Sequence, residues 1–170
     1  MGKYMKVTKV DTSALRRRFM AMSRRAQNFT PVFRWMMQEL QKAHRDNFRT
    51  EGTTSGFPWQ PLDPQYASWK LANYGANGIL VRSGDLRNSL TSMNSNRGAV
   101  RDIGLRTAYF GTTIGYAKFH QAGTSNMAQR KPLFVPKMMA HDVARATGEH
   151  IVYGSVGEVY SNLKRGFGVL

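Results

Sequence analysis

The chain has 170 residues, 41% of them hydrophobic, which argues against a disordered chain and is enough to form the core of one domain. It has no cysteine, which excludes a disulfide framework, a cysteine-ligated zinc site and a thiol nucleophile. Lys and Arg number 25 against 10 Asp and Glu, a net charge of +15 that favours polyanionic partners, and the absence of a long apolar run or signal-peptide pattern predicts a soluble cytoplasmic protein.

The first fifty residues are the most basic part of the chain and predict a short strand followed by two helices. Residues 3–10 mix lysine with apolar residues, as a short edge strand would. Residues 14–27 form the first helix, with one apolar face at spacings of four, three and four residues, made of Leu15, Phe19, Met22 and Ala26.

The other faces of this first helix carry arginines, which have two interpretations. They form either a solvated basic face or a stripe that meets phosphates or an acidic neighbour. The candidates for contact with DNA are Arg16, Arg17, Arg18, Arg24 and Arg25.

The second helix is predicted from Thr30, as its cap, to about Phe48, with Pro31 at its first position. Its apolar residues recur at helical spacing, and a Met-rich middle favours a core rather than a ligand site. The side chains expected to face inward are Val32, Trp35, Met36, Leu40, Ala43 and Phe48.

Turn residues and prolines divide the middle of the chain. Residues 51–58 form a turn-rich loop. Asp63 and Pro64 predict the start of a third helix, which ends at Gly75 or Gly78. Ser83, Gly84 and Asp85 then begin a short helical segment that carries Leu86 and Leu90.

The remaining elements mix strand and helix. Two antiparallel strands are predicted at roughly 97–103 and 106–113, and a short helix or turn at 116–121. Residues 131–135 read as a strand or an extended segment. Residues 146–163 have apolar residues at helical spacing, although two glycines weaken that helix.

The sequence gives little support for catalysis. It contains no phosphate-binding glycine loop, no nucleophile elbow and no zinc-protease motif, and its four histidines are scattered. Asp63 and Asp85 lie where helices begin, which favours capping over acid–base chemistry. His120 as a general base would need a nucleophile and an orienting group, and Ser125 lies in a polar loop. We expect no enzymatic activity, no metal and no cofactor.

Three motif blocks carry more information than the composition does. The first is Trp59, Pro61, Leu62, Tyr66 and Lys70. The second is Leu80, Ser83, Gly84, Leu86 and Ser89. The third is Tyr116, Ala117, His120, Gln121, Gly123, Arg130 and Pro132.

In order and spacing these blocks, over roughly residues 55–136, resemble the phage virion morphogenesis family, the tail completion proteins of Mu-like and related tailed phages. The resemblance implies an α+β fold with helices on a small antiparallel sheet. It implies one tail-completion domain over residues 1–170: a basic strand and helical region at 1–50, the family-like core at 51–136, and a C-terminal helical segment at 137–170.

The resemblance also implies a function and partners. The chain would be a non-enzymatic neck protein of the virion, assembled in the host cytoplasm as a ring, expected to be a hexamer, at the head–tail junction. Its partners would be further copies of itself, a head connector or head completion protein, a tail terminator or tail tube protein, and packaged DNA in the lumen, with no membrane. The motif residues would be structural or interface residues.

The third block departs from the family pattern. The family commonly reads Pro-Ala-Arg-Pro-Phe, whereas here Lys131 separates Arg130 from Pro132. We expect the chain to differ most from its relatives at this point. We expect His120 to hydrogen-bond the following loop or a neighbouring subunit.

Two other functions stay open. One is a free, non-specific DNA-binding protein that acts through its basic N-terminal half. The other is a hydrolase such as a tail-associated lysin, which would need catalytic residues that the motifs do not supply.

Overall fold

The structure is a computed structural model, and it describes residues 11–92 and 97–157. Over these ranges the chain forms six α-helices, one 3-10 turn and a two-stranded antiparallel sheet. The predicted α+β fold is confirmed. The strand predicted at residues 3–10, and the part of the last predicted helix beyond residue 157, lie outside the described residues.

The first two helices are α1 (Ser13–Arg25) and α2 (Thr30–Arg49). The prediction that Thr30 caps α2 is wrong: its hydroxyl donates instead to the carbonyl of Gly104, at 3.2 Å. Asn28 accepts the N–H of Thr30 with its side-chain oxygen, at 3.0 Å. The start of α2 is therefore tied to a distant part of the chain as well as to its own preceding turn.

The buried face of α2 only partly matches the predicted one. Val32, Leu40 and Phe48 are buried as expected, whereas Trp35, Met36 and Ala43 are only half-buried. The other buried positions are Met37, Gln41, His44 and Asn47, three of them polar. Apolar spacing cannot predict polar residues inside a core, because their burial depends on distant hydrogen-bond partners.

Helix α3 (Pro64–Tyr74) and helix α4 (Asp85–Thr91) begin where they were predicted. The side chain of Asp63 accepts hydrogen bonds from the N–H groups of Gln65 and Tyr66, both at 3.0 Å, so it caps α3. The loop between α2 and α3 contains the 3-10 turn Thr53–Ser55.

Strands β1 (Ala99–Ile103) and β2 (Ala108–Thr112) form the hairpin that was predicted. Helix α5 (Ala117–Ala122) follows it, again as predicted. Residues 131–135 are irregular, which matches the extended alternative rather than a strand. Helix α6 (Met139–Tyr153) begins earlier than predicted and ends at Gly154, whose φ is +80°.

One hydrophobic cluster organises the fold. It contains Phe48, Trp59, Ile79, Val81, Leu86, Leu90 and Ala117. Helix α4 packs on α2 and on both strands, while α1 packs chiefly on α6. The cluster thus joins the C-terminal end of α2 to α4, α5 and the loops around them.

Within the described residues, no helix has both the length and the apolar character needed to cross a membrane.

Candidate functional site

Trp59, from the first motif block, anchors that block in the core. Its ring packs edge-on against Phe48 with ring centroids 5.3 Å apart, and only 5% of the residue is exposed. The indole N–H donates to the carbonyl of Lys131, at 3.2 Å. The first block is therefore bonded directly to the segment that ends the third.

Arg130 makes a second connection between the same two blocks. Its Nε donates to the carbonyl of Gln60 at 2.7 Å, and its Nη2 donates to the carbonyl of Pro61 at 2.8 Å. The fixed fork of the guanidinium places two N–H donors on these consecutive carbonyls at once. The buried Arg130 therefore fixes the loop before α3 through these two hydrogen bonds.

The additional residue Lys131 is accommodated by this arrangement. Its carbonyl accepts from the Trp59 indole and from the side-chain amide of Asn47. Its ammonium lies 4.1 Å from the centre of the Phe57 ring, a cation–π contact. The side chain thus points to the 51–58 loop, whereas the backbone stays bonded to the core.

Gln121 fastens the extended segment that follows the loop of residues 123–130. Its amide NH₂ donates to the carbonyl of Leu133 at 2.9 Å, and its oxygen accepts the N–H of Leu133 at 3.1 Å. The side chain therefore takes both backbone groups of one residue, as a neighbouring strand would. Gly123, with φ of +75°, ends α5 at a conformation that favours glycine.

Lys70 is also a structural cation rather than a free one. It is 4% exposed, and its ammonium donates to the carbonyls of Asn77 at 2.8 Å and Gly78 at 2.6 Å. Burial lowers the pKa of Lys70, and the charge of Glu51 opposes that shift. Glu51 in turn accepts the N–H of Ile79 at 2.8 Å, so both charges fix the turn after α3.

The second block shapes the start of α4. Gly84 stands at its N-cap position with φ of +87°, in the left-handed region. Leu86 is 1% exposed and lies in the core. Ser89 donates to the Leu86 carbonyl and is bonded to the hydroxyl of Thr112, both at 2.8 Å. This block joins α4 to β2.

His120 lies on α5, one residue before Gln121. Its carbonyl accepts the N–H of Arg130 at 2.9 Å, which agrees with the expected bond to the loop, although the bond uses the backbone. Its ring stands edge-on to Tyr116, with centroids 6.0 Å apart. The buried Nδ1 has no hydrogen-bond partner among the described residues. Burial, and then the charge of Arg130, lowers the pKa of His120, which favours the neutral ring.

A cavity of about 700 Å³ lies where the three blocks meet. Its walls come from α3, the turn before α4, the start of α5 and the loop that ends at Arg130. The lining residues are Leu62, Asp63, Tyr66, Lys70, Leu80, Val81, Arg82, Ser83, Asp85, Tyr116, His120, Asn126, Met127, Ala128 and Arg130. Most of the motif residues from the first and third blocks therefore line one cavity or hold its walls.

Several ionisable groups of this cavity already have hydrogen-bond partners within the chain. Its buried cations are bonded to backbone carbonyls, and one oxygen of Asp63 and one of Asp85 are used in local hydrogen bonds. Ser125 is not among the lining residues, so His120 is not paired with it there. Among the described residues, no group of three or more His, Asp or Glu could hold a metal ion.

The arginines of α1 separate into two groups. Arg16, Arg17, Arg18 and Arg24 are exposed. Arg25 is half-buried, and its guanidinium donates to the carbonyls of Ile151 at 3.1 Å and Val152 at 2.9 Å. Arg25 therefore binds the C-terminal end of α6, where a cation is favoured by the helix dipole.

The comparisons with known proteins give one match. The model of a protein family described as the phage virion morphogenesis family matches residues 10–149, which include all three motif blocks. No curated protein and no solved structure matches the chain.

Proposed function

Because the chain belongs to the phage virion morphogenesis family, we propose that it is the neck protein that completes the tail of a tailed bacteriophage, assembling as a ring at the head–tail junction. The family makes the chain a virion morphogenesis protein with a structural role. The ring, its expected six copies and its place in the neck are the proposal.

The observation that supports this proposal most is the exposure of large apolar side chains. Large apolar side chains are exposed on several elements, among them Trp69 and Leu71 on α3, Leu105 and Tyr109 on the hairpin, and Val135 after the cavity loop. Trp69 stacks on Tyr66, which is also exposed, and contiguous apolar patches of this kind mark contacts with other chains. Subunits of a ring would cover such patches on their neighbours.

The charge supports a ring around DNA. Each chain carries +15, so a ring of six concentrates positive charge that would repel itself without an anionic partner. Packaged DNA in the lumen would supply that partner through its phosphates. Exposed arginines of α1, among them Arg17 and Arg24, are the groups that we assign to this contact.

The proposed partners are a head connector or head completion protein on one side and a tail terminator or tail tube protein on the other. A phage that lacks this protein should accumulate filled heads and free tails. Adding the purified chain to those heads and tails should restore joined, infectious particles that contain it. The proposal fails if joined particles form without the chain, or if restored particles do not contain it.

Non-specific DNA binding by the free chain is the second candidate, and the exposed arginines of α1 favour it. It predicts tight DNA binding by the monomer with a steep dependence on salt. The neck proposal instead predicts that the chain is found in particles at a fixed number of copies. Mass measurement on the purified chain and on the particles separates the two.

A further inference from the structure

Half of α1 extends beyond the rest of the described fold. Every residue from 11 to 20 is exposed. Leu15 is 54% exposed and Phe19 is 60% exposed, although both belong to the apolar stripe of the helix. The same stripe continues into Met22 and Ala26, which are half-buried where α1 packs on α6. The apolar stripe is thus covered at one end and open at the other.

A second exposed apolar surface lies beside the cavity. Its aromatic rim consists of Tyr66, Trp69 and Tyr116, which are 42%, 46% and 44% exposed. Tyr66 and Trp69 are stacked with ring centroids 5.6 Å apart, so they present one continuous face. Tyr66 and Tyr116 line the cavity itself.

The segments that carry these two surfaces are attached to opposite ends of α2. Helix α1 precedes α2 directly, and the turn between them is bonded to α6 through Asn28 and His150, at 2.8 Å. The cavity walls are tied to the other end of α2 through Phe48 and Glu51. A helix of 20 residues is about 30 Å long, so the turn after α1 and the walls of the cavity are held about that far apart.

We propose that the open end of α1 (residues 13–20) packs its apolar stripe on the aromatic rim of the next copy of the chain, with Leu15 and Phe19 over the cavity. This inference rests on the proposed ring, and it names the contact that would close that ring. A contact between two different surfaces is heterologous, and repeating it produces a ring when the rotation closes.

The charges at the two surfaces complement each other. With about 100° of rotation per residue, Arg16 and Arg18 flank the stripe, whereas Arg17 and Arg24 lie on the opposite side of the helix. At the cavity, Oδ2 of Asp63 and Oδ1 of Asp85 have no hydrogen-bond partner among the described residues. These oxygens are open to Arg16 and Arg18 of an incoming helix.

The cations around the cavity do not prevent this contact. Lys70 and Arg130 are buried and bonded to backbone carbonyls, as described above. Arg82 lies over the ring of Tyr74, with its guanidinium carbon 5.6 Å from the ring centre. The aromatic faces also offer cation–π partners to incoming arginines. On the far side of the helix, Arg17 and Arg24 are exposed, so they can face DNA in the lumen.

The first test is the mass of the assembled ring, formed by the full chain alone or on the head connector. Phe19→Ser and Tyr66→Ser are each expected to lose the ring. Met20→Ser is the matched control, because Met20 is 51% exposed on the same helix but lies away from the stripe. Since all three side chains are exposed, the variants should fold, which far-UV circular dichroism checks.

The outcomes separate the inference from the function on which it rests. If Phe19→Ser and Tyr66→Ser form rings of wild-type mass, the α1 contact is wrong and the neck function is untouched. If all three variants lose the ring equally, the stripe is not the contact. If the wild-type chain forms no ring in the virion, the proposed function fails and the inference fails with it.

The second test is a site-specific cross-link across the contact. It is possible because the chain has no cysteine of its own. A mixture of Phe19→Cys and Tyr66→Cys chains, treated with a short bismaleimide under assembly conditions, should give a mixed cross-linked pair. A mixture of Arg17→Cys and Tyr66→Cys should give several-fold less. Equal yields from the two mixtures, or Phe19→Cys linked mainly to itself, would overturn the proposal.

Discussion

His44 and Phe134 are joined both by a hydrogen bond and by ring packing. The backbone N–H of Phe134 donates to Nε2 of His44 at 3.3 Å, and the two ring centroids are 5.0 Å apart. The other ring nitrogen, Nδ1, donates to the carbonyl of Leu40 at 2.6 Å. This pair of contacts requires a neutral imidazole with its proton on Nδ1, because Nε2 must accept.

The first prediction is a loss of stability in mild acid. Burial lowers the pKa of His44 from 6.5 to about 4, since the charged ring would lose its hydration. The unfolded chain therefore binds a proton at this site as the pH falls below 6.5, whereas the folded chain does so only near pH 4. The free energy of unfolding should fall by about 2 kcal/mol between pH 7.5 and pH 5 from this residue alone.

Urea unfolding at both pH values measures this change. His44→Gln should be less stable than wild type at pH 7.5 but lose less stability on acidification. His120, whose pKa burial also lowers, keeps part of the acid sensitivity in that variant. His141→Gln is the control for the loss of an imidazole, because that side chain is 69% exposed. An unchanged pH dependence in His44→Gln would contradict the assignment.

The second prediction concerns the paired hydrogen bonds of Gln121 with Leu133. Gln121→Glu replaces the donor with an oxygen that faces the Leu133 carbonyl, so the segment after the cavity loop loses a bond and gains a repulsion. The expected cost is about 1–3 kcal/mol in the free energy of unfolding. Gln129→Glu is the control, because its bond to the Gln121 carbonyl is exposed and water can replace it. Equal costs for the two variants would mean that the paired contact adds nothing.

The sequence predicts those parts of this fold that depend on neighbouring residues. The start of α3 is an example, since Asp63 caps N–H groups two and three positions later. The hairpin of β1 and β2 follows in the same way from local alternation. The glycine at position 84 and the short helix after it were likewise visible from turn chemistry.

Positions whose surroundings come from distant residues could not be predicted. His44 is fully buried by partners that include Phe110 and Phe134, 66 and 90 residues away. The amphipathic pattern of the helix around His44 does not predict this burial. Residues 131–135 are extended because a glutamine side chain bonds them, which strand patterns do not describe. The motif blocks indicated the cavity region, but only the fold shows that they share one cavity.

The third prediction tests whether Arg130 acts through its shape or its charge. Arg130→Lys keeps the positive charge but cannot bridge the carbonyls of Gln60 and Pro61 as the guanidinium does. We expect a loss of about 1–2 kcal/mol in the free energy of unfolding, because one carbonyl is left without its donor. Arg82→Lys, at an exposed position of the same cavity, should change stability little. A wild-type value for Arg130→Lys in thermal and urea unfolding would show that charge alone suffices.

The last prediction concerns contact with DNA through Arg17 and Arg24, which lie on the side of α1 opposite its apolar stripe. Both are exposed, so replacing them with Gln should leave the fold intact. If both meet phosphates, the slope of log K against log salt should fall by about two for a short duplex. Fluorescence anisotropy over a range of NaCl concentrations measures this slope. The control is Arg34→Gln with Lys42→Gln, which removes the same charge from exposed positions of α2. If both double variants weaken binding equally, the effect is one of net charge, and α1 is not the surface that faces DNA.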